Sequence, residues 1–235
     1  MKVRVLVLAV LVSTWVHAAE SRPAADTIVE NYCAASRGQA GNFKGASMEV
    51  EIQGALPNLK KTGKLHALRH ISALGRITYQ ILGFEGDNTV KKEVIARYLT
   101  AEIEAQKDQA PSTAVTPENY KFSYKGLTQL DGRDAHRFQV TPRKKRQGLF
   151  KGDIWIDAAT NLRVQESGYL VKSPSILLKR VAFTRRYEIR DGISVPRQLT
   201  SVVNTRLVGK AELTIDYTNF SLAESASDDA SQQQQ

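Results

Sequence analysis

The sequence has few side chains at spacings that would support metal binding or catalysis. His66 and His70 are four residues apart, and on a helix both rings would lie on one face and could share a metal ion. The alternating pattern around them predicts a strand instead, in which they lie roughly 13 Å apart. His136 falls on the apolar face of its own strand, where we expect a hydrogen-bonded core residue. These histidines therefore predict no metal site.

Carboxylates and the single cysteine are equally poor candidates for chemistry. Asp153 and Asp157 bracket a short apolar segment, whereas Asp131 and Asp191 each precede a glycine and are typical of turns. The motifs of dinucleotide-binding, phosphate-binding, zinc-protease and serine-hydrolase sites are absent from the sequence. Cys33 is predicted to be a small buried hydrophobe on an N-terminal helix. We therefore predict a protein that is not an enzyme and uses no cofactor.

Charge is a stronger signal than any motif. The chain has 33 Lys and Arg against 24 Asp and Glu, a formal charge of +9, which favours a membrane surface, a phospholipid headgroup or an acidic protein as partner. The basic run 142–147 is interpreted either as a solvated hairpin tip or as a contact with anionic lipid or an acidic partner. Its four charged residues are Arg143, Lys144, Lys145 and Arg146.

The N-terminus predicts export. Lys2 and Arg4 precede an apolar run and then small residues, a pattern typical of a secretory signal peptide that is cleaved after Ala18. We therefore expect an exported, soluble, periplasmic protein that does not bind nucleic acid. Residues 19–222 are predicted to form a single domain, and residues 223–235, rich in Ser, Asp and Gln, a disordered polar tail.

The elements that must position any site are mostly strands. Residues 210–218 alternate strictly between apolar and polar, which predicts a strand with one dry and one wet face. Residues 148–220 predict five strands in succession, with Asp191-Gly192 as a hairpin turn. Helical spacing occurs before Gly38 and over residues 88–106. The chain therefore has about ten strands and two long helices.

Two helices are too few to cover such a sheet. A helix is about 10 Å across and strands lie about 4.8 Å apart, so each helix covers roughly two strands. The uncovered apolar face must curl on itself or face a cavity, which leaves room for an apolar ligand. The candidate cavity-wall residues are Ile154, Ile156, Leu162, Val164, Val181, Phe183, Tyr187, Leu199, Val203, Leu213 and Ile215.

Two basic residues interrupt the apolar face of the strand predicted over residues 177–189. Lys179 and Arg185 could lie near a strand end or a cavity mouth, where their long stems reach solvent. Alternatively, one of them gates the mouth of the cavity or contacts a polar headgroup. Both interpretations remain open at the level of sequence.

Several segments of the meander carry a family resemblance. They are residues 152–157, Tyr187, residues 191–196, residues 205–207 and residues 216–220. With the order helix, three strands, helix and meander, the chain resembles the outer-membrane lipoprotein carrier family, which includes LolA, LolB and RseB. The resemblance implies an α+β fold: an unclosed antiparallel β-barrel of about ten or eleven strands, with helices plugging the concave face.

The resemblance also implies a function. It predicts a periplasmic carrier that binds acyl chains of a lipoprotein or lipid without turnover and moves them between an inner-membrane transporter and an outer-membrane receptor, with transient contact to anionic membrane surfaces. An envelope sensor or scaffold of the same fold that binds a protein partner is the alternative, and a small-molecule hydrolase is a third. The cargo, whether lipoprotein, phospholipid or another long-chain lipid, stays open.

Overall fold

The computed structural model describes residues 24–39, 41–104, 112–173, 178–206 and 209–222. The predicted signal peptide and polar tail lie outside these residues. The helical elements are α1 (Ala25–Gln39), a 3-10 turn (Pro57–Leu59), α2 (Asn88–Val90), a π-helical segment (Lys91–Ala96) and α3 (Arg97–Glu104). The strands are β1 (Ser47–Leu56), β2 (Lys61–Ile71), β3 (Ile77–Gly86), β4 (Tyr120–Leu130), β5 (Arg133–Pro142), β6 (Phe150–Asp157), β7 (Arg163–Leu170), β8 (Leu178–Arg190), β9 (Ile193–Thr205) and β10 (Lys210–Ser221).

All ten strands form one antiparallel sheet in the order β3-β2-β1-β10-β9-β8-β7-β6-β5-β4. Seven strands, β4 to β10, form an uninterrupted meander, because each pairs with the next in sequence. The meander then joins the N-terminal three-stranded unit through β10 and β1. The prediction of an α+β fold built on about ten antiparallel strands is confirmed.

The sheet is an open half-barrel because β3 and β4 remain its two edges. The chain between these edges includes α2 and the π-helical segment, which pack over β1, β2 and β10, and α3, which packs against the π-helical segment. The helix predicted over residues 88–106 is confirmed from Asn88 to Glu104, and a π-helical segment occupies its middle. Its buried side chains Val90, Val94 and Ile95 join the core on the concave side of the sheet.

Two features of the sequence explain how the strands turn and where helices approach them. Asp131-Gly132 and Asp191-Gly192 adopt positive φ angles at both residues, as tight hairpin turns require, and each joins two paired strands. Gly54 on β1 lets the helical segment approach closely, because a Cβ atom there would lie 2.8 Å from a methyl group of Val90. Among the described residues, no helix has the length and hydropathy needed to cross a bilayer.

Candidate functional site

A single row of side chains crosses the concave face of the sheet from one edge to the other. The pairing register aligns one residue from each strand, and eight of the ten are apolar or aromatic. The two exceptions, Arg185 and Glu166, are cross-strand partners in the middle of the row. In spatial order the row is Phe84, Leu65, Ile52, Ile215, Leu199, Arg185, Glu166, Ile154, Phe138 and Tyr124. The concave face is therefore apolar with a charged centre.

Glu166 is the most buried charge of this face. Its side chain is 1% exposed, and its two oxygens accept from Arg163 at 2.6 Å, from the Tyr187 hydroxyl at 3.2 Å and from Arg185 at 3.4 Å. Burial alone would raise the pKa of this carboxyl group, but the positive charges of Arg163 and Arg185 outweigh burial and hold the pKa below its usual value. Glu166 is therefore charged in the folded protein at neutral pH.

This lowered pKa makes part of the stability depend on pH. Because the folded state binds a proton at Glu166 more weakly than the unfolded chain does, the ion cluster stabilises the protein above the usual pKa of 4.5, and this contribution is lost as pH falls through the lower folded value. We expect the gap in unfolding free energy between the wild type and Glu166→Gln to be largest near neutral pH and to shrink below pH 4.5. Urea unfolding at several pH values measures it. A difference in unfolding free energy that does not change with pH would contradict a charged Glu166 with a lowered pKa.

Arg185 lies in the middle of β8 rather than near a strand end. Its side chain is 47% exposed, yet it pairs with buried Glu166 and its guanidinium stacks 4.7 Å from the ring centroid of buried Phe183. An accessible side chain held against two buried ones indicates an open concavity rather than a convex surface. Lys179, the other basic residue singled out in the sequence, is exposed at a register shift at the beginning of β8.

Phenol groups surround this charged centre. Burial raises the pKa of Tyr120, Tyr187 and Tyr217, and the positive charge of Arg185 lowers it in part. Tyr98 on α3 is hydrogen-bonded to Tyr217 on β10 and is also within range of Arg185. These hydroxyls have partners within the protein: Tyr187 donates to Glu166, Tyr120 accepts from the backbone N–H of Phe150, and Tyr98 is bonded to Tyr217.

A second ionic cluster attaches the helical segment to the sheet. The Arg69 guanidinium on β2 donates to Glu102 on α3 at 3.1 Å and to the Tyr79 hydroxyl on β3 at 3.2 Å. Tyr79 in turn donates a short hydrogen bond to the same carboxylate. Burial and the charge of Glu102 both raise the pKa of Tyr79, which keeps this phenol protonated. The three side chains form a closed triangle between β2, β3 and α3.

The predicted cavity-wall residues divide into three groups. Six belong to the continuous buried core: Ile154, Ile156, Phe183, Leu199, Leu213 and Ile215. Val181, Val203 and Tyr187 are only half-buried and face the concavity, whereas Leu162 and Val164 are buried at and just before the start of β7. Whether any of them contacts a ligand stays a prediction.

Apolar side chains remain accessible toward both edges of the concave face. Ile81 on β3 and Leu127 on β4 are each 49% exposed, and their cross-strand partners Ala67 and His136 are buried. A cavity of about 450 Å³ lies elsewhere, at the β5–β6 end of the sheet beside Arg133.

The remaining sequence candidates have structural environments. His136 is buried and its Nδ1 is 3.0 Å from the Tyr124 hydroxyl, which confirms the prediction of a hydrogen-bonded core residue. Cys33 is buried on α1, as predicted, and burial raises the pKa of its thiol. In the basic run, Arg143 donates to the carbonyl of Pro117 and Arg146 to the Asn119 side chain.

Lys144 and Lys145, the two lysines of the basic run, are exposed. The run is therefore a loop tied to residues 112–119 by its two arginines, with its lysines presented to solvent.

Sequence reasoning missed Arg163 and Glu166, two of the three charged residues of this centre. A signal for Glu166 was present, since it lies two residues after the apolar Val164 and a strand would place both side chains on one face. Its partners could not be assigned, because register shifts at Trp155/Ile156 and at Arg186/Tyr187 displace the pairing on either side.

No family model and no curated protein matches the chain. Solved structures do. A DUF1329 family protein from Desulfovibrio piger is 16% identical over 86% of this chain and 95% of its own, with a TM-score of 0.44. An outer membrane lipoprotein-sorting protein domain from Vibrio parahaemolyticus is 12% identical over 86% and 95%, with a TM-score of 0.41. A LolA superfamily protein from Nitrosomonas europaea is 12% identical over 86% and 94%, with a TM-score of 0.37.

At these identities and TM-scores the likeness is one of overall architecture alone. The matched structures include the family that the sequence resembles.

Proposed function

We propose that this protein is an exported, periplasmic carrier that binds the acyl chains of a lipid or lipoprotein on the concave face of its half-barrel, without chemical turnover. The observation that carries the proposal is the accessible apolar surface beside the mostly buried row: Ile81 and Leu127 are each 49% exposed toward the two edges, and Val181 and Val203 are half-buried. A soluble protein leaves such a face accessible where an apolar ligand or partner binds.

The free energy gained by burying an acyl chain is large enough to support this proposal. Each methylene group moved from water to an apolar surface contributes about 0.8 kcal/mol, so eight methylenes would contribute roughly 6 kcal/mol before the costs of association. The half-buried side chains Val181, Val203 and Tyr217 and the exposed Ile81 and Leu127 supply surface for such a chain. The excess of Lys and Arg over Asp and Glu, which persists without the predicted signal peptide, and the exposed Lys144 and Lys145 favour transient contact with anionic membranes.

The identity of bound material tests the proposal directly. We expect protein purified from its native envelope under mild conditions to retain lipid or an acylated peptide, detected by native mass spectrometry and by analysis of the organic extract. Lipid-free preparations together with a stoichiometric protein partner would contradict the carrier and support the sensor or scaffold of the same fold.

Two neighbouring valines provide a matched pair of variants. Val203 is half-buried on the concave face opposite Val181, whereas Val202 is exposed on the opposite face of β9. We expect Val203→Asn to weaken binding of a fluorescent acyl probe about tenfold, because it places an amide on the apolar concave face, and Val202→Asn to leave binding unchanged. Equal effects of the two substitutions would place the binding surface elsewhere.

A further inference from the structure

The charged centre of the concave face has an unbalanced charge. Arg163 and Arg185 together carry two positive charges against the single negative charge of Glu166. Arg185 and Glu166 belong to the otherwise apolar row, and Arg163, outside the row, contacts Glu166. Beside apolar side chains a positive charge is stabilised when an anion accompanies it. We infer that the ligand of this face is an acyl chain with an anionic head, a carboxylate or a phosphate, and that Arg185 binds this head.

This inference rests on the proposed function and narrows its cargo to acidic lipids. The two arginines do not share Glu166 equally. Arg163 approaches one carboxylate oxygen at 2.6 Å, whereas Arg185 is 3.4 Å from the other. The shorter contact and the Tyr187 hydroxyl already satisfy Glu166, so a ligand anion that drew Arg185 away would not leave this carboxylate without partners.

Arg185 has the donors and the accessibility that such a head requires. A guanidinium carries five N–H donors in a planar fork that matches a carboxylate or phosphate in two parallel hydrogen bonds. Its described contacts are the long ion pair with Glu166 and the stacking on Phe183. These contacts orient the guanidinium and leave part of it accessible.

The surroundings of Arg185 fit the tail of the same molecule. Val181 and Val203 are half-buried cross-strand partners on the same face, four residues along β8 and β9 from the pair Arg185 and Leu199. A head at Arg185 therefore has accessible apolar surface along these two strands. The same position argues against the gate interpretation, since mid-strand Arg185 does not lie at the mouth of the half-barrel, whereas exposed Lys179 is near the end of its strand.

Matched ligands and variants test the inference. The ligands are palmitate, 1-palmitoyl lysophosphatidic acid and uncharged hexadecanol, each measured by displacement of a neutral fluorescent acyl probe from the mature protein. We expect the wild type to bind both acids at least about tenfold more tightly than the alcohol, as one charged pair of hydrogen bonds would give. The ratio between the two acids identifies a carboxylate or a phosphate as the preferred head.

Arg185→Gln should abolish the preference, so that in this variant the two acids bind no more tightly than hexadecanol. Arg186→Gln is the control, because Arg186 is the adjacent exposed arginine on the opposite face of the same strand. It should retain the full preference. Arg185→Lys keeps the charge without the fork, so we expect an intermediate preference, and this variant decides the question if Arg185→Gln fails to fold.

The outcomes distinguish the anionic head bound by Arg185 from the acyl-carrier function on which it rests. Equal affinity of the wild type for acids and alcohol would overturn the anionic head and leave the acyl carrier intact. A preference for the acids that survives in Arg185→Gln would remove Arg185 as the binding group. If Arg185→Gln does not fold, a preference that is undiminished in Arg185→Lys and lost in Arg186→Gln would remove it instead. Failure of all three ligands to bind would overturn the proposed function itself.

Discussion

Replacing Glu166 by alanine is expected to lower the free energy of unfolding by about 3–5 kcal/mol, the usual cost of removing one partner from a buried ion cluster. The carboxylate is 1% exposed and is the shared acceptor for two guanidinium groups and the Tyr187 hydroxyl. Without it, Arg163 would remain on the concave face with its charge uncompensated, and the Nε of this arginine already has no described partner. Urea denaturation of the mature protein measures the loss.

An exposed carboxylate on the same sheet provides the control. Glu188 pairs with Arg190 at the surface end of β8, where solvent screens the interaction, so Glu188→Ala should change the unfolding free energy by less than about 1 kcal/mol. Glu166→Gln should fall between the two, because its amide keeps an acceptor oxygen for Arg163. A Glu166→Ala protein as stable as the Glu188→Ala control would show that the cluster does not organise the core.

The strands could be predicted because a strand with one buried face has apolar and polar residues in alternation. Residues 210–218 alternate strictly, and in the folded strand Ala211, Leu213 and Ile215 are buried on the concave side. The hairpins followed from Asp131-Gly132 and Asp191-Gly192, whose positive φ angles few other pairs would adopt. These are local features, and local sequence is sufficient to predict them.

The pairing of β1 with β10 and the composition of the charged centre depend on distant parts of the chain. Arg185 could be recognised as a charge on an apolar face, but its position in the middle of the sheet and its partner Glu166 depend on the register of three strands and on two bulges. The π-helical segment in the middle of the second helix has no counterpart in the apolar spacing of residues 88–106, which an ordinary helix would satisfy. Long-range pairing and local irregularity therefore limit what the sequence alone can predict about the site.

Replacing Arg69 by alanine is expected to release α3 from the sheet. The Arg69 side chain is 10% exposed and connects Glu102 on α3 with Tyr79 on β3. Among the described residues of α3 none is fully buried, so this triangle and a few half-buried side chains, such as Tyr98 and Leu99, hold the helix. We expect the free energy of unfolding to fall by about 3 kcal/mol and amide exchange in Arg97–Glu104 to accelerate at least about tenfold.

Arg97 on the same helix separates this effect from a general loss of charge. It forms an exposed ion pair with Glu93 one turn earlier, and Arg97→Ala should change stability by less than about 0.5 kcal/mol and leave amide exchange near the wild-type rate. Because Tyr98 and Tyr217 meet where α3 covers the concave face, release of α3 should also speed dissociation of an acyl probe. Faster amide exchange with an unchanged dissociation rate would mean that α3 is not part of the barrier around the ligand, whereas unchanged exchange would show that the triangle does not hold the helix.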